Sequence, residues 1–344
     1  MTPMKVLLSG YHNPRFTTIT EYVEEAIEEL GHRLVSFDNR RYLVPGRIRR
    51  TIPPLERAEL RRLNGGLLRL AGDILPDVFV ETGGHRILPD TVESLRRDGV
   101  LTVLWTIDVP ADFDPVLRAA PHYDLVVCGG TEAVQLLERG GVRGARWLPF
   151  ACAPRHHHPV TVSDEDRSRF GSRAAFVGSY YPNRAAVLAS LAELDLAIWG
   201  PGWDRLPVDH SLRPRVRGQH VTPSEWAKIY AASEIVVIVH FQDGHTPCRQ
   251  ASPKVYETLA CGAFALVDDQ PDVFSLFEDG RHLARFEGPG DLPGKVRYFL
   301  DRPEDRVRIA DAGREAVISK HTYRHRVAAL LEMLEERGQR SRPA

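Results

Sequence analysis

The sequence predicts an α/β protein built from two doubly wound, Rossmann-like domains. Three observations carry that expectation. The chain has 344 residues, beyond the size at which a single core stops growing, so two domains are expected. Its apolar segments are short continuous runs alternating with helical stretches, as parallel strands covered on both faces require. The alternation breaks once, at 151–172, and then restarts.

In the first half, KVLLS (5–9) reads as a strand, followed by the polar loop GYHNPRFTT and a helix with Val23, Ile27 and Leu30 on one face, ended by Gly31. LVSF from Leu34 closes a β-α-β unit. DVFVE (77–81), LTVLWTI (101–107), DLVVC (124–128) and RWLPF (146–150) are further strands, with helices near 54–72, 89–98 and 131–139. ACAPRHHHPVTVSDEDRSRFGS (151–172) is rich in proline, histidine and charge and is expected as a linker, with its core at 156–172.

In the second half, AAFVGS (174–179), LAIWG (196–200), EIVVIVH (234–240), FALV (264–267) and HLARF are strands. Thr222, Pro223 and Glu225 spell a capped helix start, and Ser252–Pro253 opens another helix. Helices near 291–301, 303–318 and 322–337 end the chain, the last with Val327, Leu330, Leu331 and Leu334 on one face. The expected layout is an N-terminal domain (1–155), a C-terminal domain (173–320) and a final helix (321–344) returning to the first.

Composition narrows the function. Basic and acidic residues number 45 and 46, so no global field favours nucleic acid or an anionic membrane. The cluster Arg47 to Arg50, interrupted by Ile48, is read as solvated surface. Cys128, Cys152, Cys248 and Cys261 form no C-x-x-C pair and suit a reducing compartment. No run approaches a membrane span and no leader is evident, so a cytoplasmic protein is expected. The dinucleotide fingerprint, a Walker A loop and a nucleophile elbow are missing from the sequence. His156–His158 lacks metal-ligand spacing and is read as a solvated run; no metal and no cofactor are expected.

The informative segment is SPKVYETLACGAFALVDD (252–269). A helix N-terminus at Ser252–Pro253 suits a phosphate, Lys254 adds a cation there, and Glu257, one turn on, can accept from vicinal ribose hydroxyls.

This segment, continued by QPDVFSLFEDG and by RYFLDRPEDRVRIADAGREAVISKHTYRHRVAALLEML, resembles the C-terminal domain of CgeB-type glycosyltransferases with a group 1 module. FVGSYYPNRAAVL, the IWGPGW stretch and DLVVCGGTEAVQLLERGGVRGARWLPFACAP resemble it too, so the likeness runs from about residue 100 to 337. The resemblance implies the GT-B fold, two Rossmann-like domains facing across a cleft. It implies a nucleotide-sugar donor (UDP-, GDP- or dTDP-sugar) on the C-terminal domain, an unidentified acceptor (glycan, protein or small molecule) on the N-terminal one, and no metal. By this resemblance Glu257 is the ribose carboxylate. Arg184 and Lys254 meet the diphosphate, and Gly178 and Ser179 allow close approach.

Retaining relatives often carry E-x7-E, but here Arg249 stands eight residues before Glu257, and Asp243 and His245 are offered as sugar contacts instead. In the N-terminal half Asp108, His12 and Glu81 follow strands and are the candidate bases, Asp108 first. An epimerase or hydrolase on the same architecture and a non-catalytic nucleotide-sugar binder remain open alternatives.

Overall fold

The computed structural model describes residues 2–340 apart from Arg15 and Asp108. The chain divides into two compact units, one comprising the described parts of Met1–Pro149 and Tyr323–Ala344, the other Phe150–Thr322.

The first unit is built on β1 (Lys5–Gly10), β2 (Arg33–Asp38), β3 (Val78–Thr82), β4 (Leu101–Thr106), β5 (Leu125–Cys128) and β6 (Arg146–Trp147). They form a parallel sheet in the order β2-β1-β3-β4-β5-β6. The central strands are buried on both faces, Val6, Leu7 and Leu8 in succession and all of β5. That double burial explains why the sequence shows continuous apolar runs instead of alternation. The edge strand β2 is the exception and is partly exposed along its length. The final helix, Tyr323–Arg340, lies on the helix Ile19–Glu29, with Tyr22 and Tyr323 ring centroids 5.6 Å apart. Val327, Leu330, Leu331 and Leu334, the predicted face, are all buried.

The second unit carries β7 (Ser172–Val177), β8 (Leu196–Trp199), β9 (Val216–Gly218), β10 (Ser233–Ile238), β11 (Ala265–Asp268) and β12 (Ala284–Phe286). Their order is β12-β11-β10-β7-β8-β9, all parallel. Counted from β7 this is 3-2-1-4-5-6, the Rossmann order, with its reversal between β7 and β10. The helix Pro223–Ala232 begins with the predicted capping box, Thr222 with Glu225. The sequence reading passed over β9 and the helices Gly46–Arg49 and Asp114–Ala119, all short and without a periodic apolar pattern. It also extended β6 to residue 150, whereas the strand stops at Trp147.

The segment expected as a linker is structured. Ala151, Cys152 and Ala153 are buried, and the Cys152 amide donates to the His321 carbonyl at 2.9 Å. A helix, Asp164–Phe170, starts from a Ser163–Asp166 capping box. Its polar composition misled because the capping residues, not an apolar face, define it.

Two glycines hold the loops after β7 and β8 together. Gly200 has φ +134°, and a Cβ there would stand 2.3 Å from the Gly178 carbonyl oxygen. The same carbonyl accepts from the Trp203 indole at 2.8 Å. Gly200→Ala therefore combines a left-handed backbone with a backbone collision, and a loss of roughly 3 kcal/mol in urea unfolding of the second unit is expected. An unchanged unfolding midpoint would show that the two loops are not pinned there.

Candidate functional site

In parallel α/β sheets, ligands gather beyond the carboxyl ends of the strands where the strand order reverses. In the second unit that place is the pair of loops after β7 and β10. Gly178, Ser179, Tyr180 and Tyr181 lead from β7 into the helix Pro182–Leu188. Arg184, on the first turn of that helix and 8% exposed, is not a free loop cation. Its Nε donates to the Val239 carbonyl at 2.8 Å and its Nη1 to the Ser179 carbonyl at 3.0 Å. Its guanidinium lies 4.8 Å from the Tyr181 ring centroid. Asn183 adds a bond to the His240 carbonyl at 2.8 Å. The helix start thus staples the two switch-point loops together, and burial pulls the Arg184 pKa down.

Lys254 approaches the same place from the helix Pro253–Ala260. Its Cε stands 3.4 Å from where a Gly178 Cβ would be, and its Nζ lies 5.6 Å from the Trp226 ring centroid. Burial lowers its pKa most; Glu257 opposes that shift and the charge of Arg184 adds to it. Among the described residues neither the Lys254 ammonium nor the Glu257 carboxylate has a hydrogen-bond or ion-pair partner. A half-buried cation at a helix N-terminus and an uncommitted carboxylate one turn later form a polar pair with capacity to spare.

His240 and Asp268, which the sequence reading did not single out, complete the site. His240 follows β10 and is 2% exposed. Its Nδ1 lies 2.6 Å from Asp268 Oδ1, and its backbone amide donates to Asp268 Oδ2 at 2.9 Å. The Ser252 amide donates to His240 Nε2 at 3.0 Å. An amide can only donate, so Nε2 is the acceptor and the ring proton sits on Nδ1, facing the carboxylate. This relay fixes Ser252, the N-cap of the helix that carries Lys254 and Glu257. Its sequence signal was available: both residues are polar and end or follow apolar strands beside the order reversal.

Asp243 and His245 lie on an exposed loop. Asp243 is occupied by that loop: the Thr246 and His245 amides donate to it at 2.6 and 2.8 Å, and the Thr246 hydroxyl at 2.8 Å. These bonds, the Thr246 amide foremost, bring its pKa down to about 2. Arg249, at the position of the first glutamate of E-x7-E, is exposed.

Residues 184–332 match the family described as glycosyl transferase-like. Spore protein CgeB of Bacillus subtilis is 21% identical over 261 residues, covering 72% of this chain and 80% of that protein. Among solved structures, sucrose-phosphate synthase from Thermosynechococcus elongatus aligns with a TM-score of 0.72 at 12% identity, covering 98% of this chain and all of that one. Anabaena HepE, solved with UDP and glucose, aligns with a TM-score of 0.66 at 12% identity, covering 97% of this chain and all of that one. The chain is a glycosyltransferase of the GT-B fold. It is CgeB-like, as the motifs from 252 onward implied.

The glycosyltransferase's first unit gives two of the three candidate bases different surroundings. Asp108 lies outside the described residues. His12 is half-buried, its Nε2 2.8 Å from Glu24, which also accepts from the Ser36 hydroxyl. Glu81 is fully buried and accepts from the Tyr123 hydroxyl. The histidine run needs correction: His157 is buried, not solvated, and its Nδ1 accepts from the Ala153 amide at 3.0 Å. The polar tripeptide hid a side chain that the fold turns inward. Among the described residues no group of three or more His, Cys, Asp or Glu side chains gathers as a metal-ligand set.

Burial raises the Glu81 pKa from 4.5 to about 7, against the hydrogen bonds of Tyr123 and of the Ile87, Arg86 and Gly84 amides. The folded state therefore holds this proton more tightly than the unfolded chain does. Its contribution to stability is full below the unfolded value and is lost as pH rises through about 7. Glu81→Gln keeps an acceptor for Tyr123 and carries no charge at any pH. Relative to this variant, the wild-type protein should lose roughly 3 kcal/mol of unfolding free energy between about pH 4.5 and 8. Parallel pH profiles of the two proteins would mean that Glu81 ionises normally.

Proposed function

We propose that the second unit binds a nucleotide diphosphate sugar where the strand order reverses between β7 and β10, and that the enzyme transfers its sugar to an acceptor hydroxyl without a metal. The observation that carries this reading is the uncommitted pair Lys254 and Glu257 on the helix capped by Ser252. In the proposed complex Glu257 accepts from the ribose hydroxyls. Lys254 meets the diphosphate, the positive end of its helix adds to the potential there, and Gly178 and Ser179 let it approach the backbone. Arg184 contributes charge while holding the two loops in place. These cations offset the charge that grows on the departing diphosphate, which is the work a divalent ion would otherwise do. The UDP bound by Anabaena HepE supports a nucleoside diphosphate ligand and leaves GDP and dTDP to be compared.

The donor assignment is tested by calorimetry of UDP, GDP and dTDP in excess chelator. One of them should bind, and Glu257→Ala should weaken it by about 1.5–3 kcal/mol, the range for hydrogen bonds to a charged group. Lys254→Ala should weaken the diphosphate more than the bare nucleoside. Wild-type affinity in Glu257→Ala would overturn the ribose assignment, and binding that needs restored magnesium or manganese would overturn the metal-free one.

An inverting transfer also needs a base for the acceptor hydroxyl. Asp108 is proposed for that role, since Glu81 is sealed in the core and the His12 ring already meets Glu24. Asp108→Asn should lower turnover about a hundredfold while donor affinity stays nearly constant. Full activity in that variant would remove Asp108 from the reaction.

A further inference from the structure

The proposed sugar transfer gives no role to the arginine-rich stretch that follows β2. Between residues 40 and 62 the sequence holds eight arginines against two glutamates, a local excess of six positive charges on a chain whose net charge is −1. Both glutamates are committed. Glu56 meets Arg49 at 3.1 Å; Glu59 accepts from the Leu43 amide at 2.8 Å and meets Arg62 at 3.3 Å. Arg49 is buried with its guanidinium 3.3 Å from the Tyr42 ring centroid, which anchors the short helix Gly46–Arg49. Arg41, Arg47, Arg50 and Arg57 stand exposed, and among the described residues none has a carboxylate partner.

Large apolar side chains stand exposed on the same stretch: Leu43 at 74%, Ile48 at 46% and Ile52 at 45%. Phe16, 44% exposed, lies in the loop after β1, and that loop meets this segment where the Arg40 guanidinium sits 3.9 Å from the Tyr11 ring centroid. Of nine large apolar side chains exposed among the described residues, these are four, so the exposure is concentrated here.

We propose that this face of the first unit docks the enzyme on an anionic lipid surface. Charge complementarity selects an anionic partner, and the apolar side chains select a bilayer among anionic partners. A nucleic acid would take up the arginines and leave Leu43, Ile48 and Ile52 in water; a headgroup layer over acyl chains accommodates both. Among the described residues no helix is long and apolar enough to cross a membrane, so the attachment is peripheral.

The test is co-sedimentation of the full chain with phosphatidylcholine vesicles and with vesicles containing roughly one-third phosphatidylserine. Binding to the anionic vesicles should be at least about tenfold tighter and should weaken as salt is raised. Arg47→Glu with Arg50→Glu, and separately Leu43→Ser with Ile48→Ser, should each reduce it about tenfold. All four side chains are exposed, and a circular-dichroism melt confirms that each variant is folded. Equal binding to both vesicle types would overturn the proposal. So would full binding by the Leu43/Ile48 variant, or tighter binding to duplex DNA than to the anionic vesicles, either of which would assign the face to a polyanion.

Discussion

The second unit depends on a join between two strands that are neighbours in the sheet and far apart in the chain. β7 and β10 run side by side, with Ile235 opposite Ala174, yet about sixty residues separate them. Their loops part at the order reversal, the place where sheets of this kind take ligands, and leave backbone carbonyls without sheet partners. Arg184 closes that gap from one side chain, donating to Ser179 and Val239 together. A hydrogen bond from a charged donor is worth roughly 1.5–3 kcal/mol, and the planar fork holds both at once. A lysine at this position would offer a single flexible point charge in place of that fixed fork. The residue expected to meet a diphosphate thus has prior work in the fold, and any charge it lends a ligand comes from a group already fixed in place.

The same economy appears at the start of the helix Pro253–Ala260. Ser252 caps it, and the Ser252 amide is held by His240, which is held by Asp268. Three strand-end or loop residues therefore determine where Lys254 and Glu257 stand. The arrangement is pre-organised: the polar pair keeps its own bonding capacity because neighbouring residues supply the structural hydrogen bonds. It also depends on a neutral imidazole, since a ring protonated on both nitrogens has no lone pair for the Ser252 amide.

The sequence revealed the parts whose physics is local. Buried parallel strands announced themselves as continuous apolar runs, the capping box at Thr222 named a helix start, and the final helix displayed its buried face. Lys254 and Glu257, the pair proposed for the donor, could be singled out because they share one helix turn. What stayed hidden depends on tertiary pairing. His240 and Asp268 become a relay only once β10 and β11 are adjacent. Arg184 changes from a prospective ligand group to a staple only once the Val239 carbonyl is beside it. Glu81 looked like a strand-end carboxylate open to a ligand and is instead enclosed with Tyr123. His157, read within a solvated run, turns into the interior. In each case the residue type was right for chemistry, and its environment decided the outcome.

Charge gives the most instructive contrast. A chain with near-equal numbers of acids and bases has no long-range field to steer a partner, and that argument holds beyond a Debye length of about 10 Å. Within that distance the average is irrelevant. The segment after β2 concentrates arginines, spends its two glutamates on internal contacts, and leaves aliphatic side chains exposed among the remaining cations. Compositional balance therefore excludes steering from afar but not adhesion at contact. The two glutamates decide the matter: were they free on the surface, the stretch would be a mixed and solvated helix entry. Because Glu59 is buried on the Leu43 amide and the half-buried Glu56 is paired with Arg49, the outward face is left cationic and apolar together.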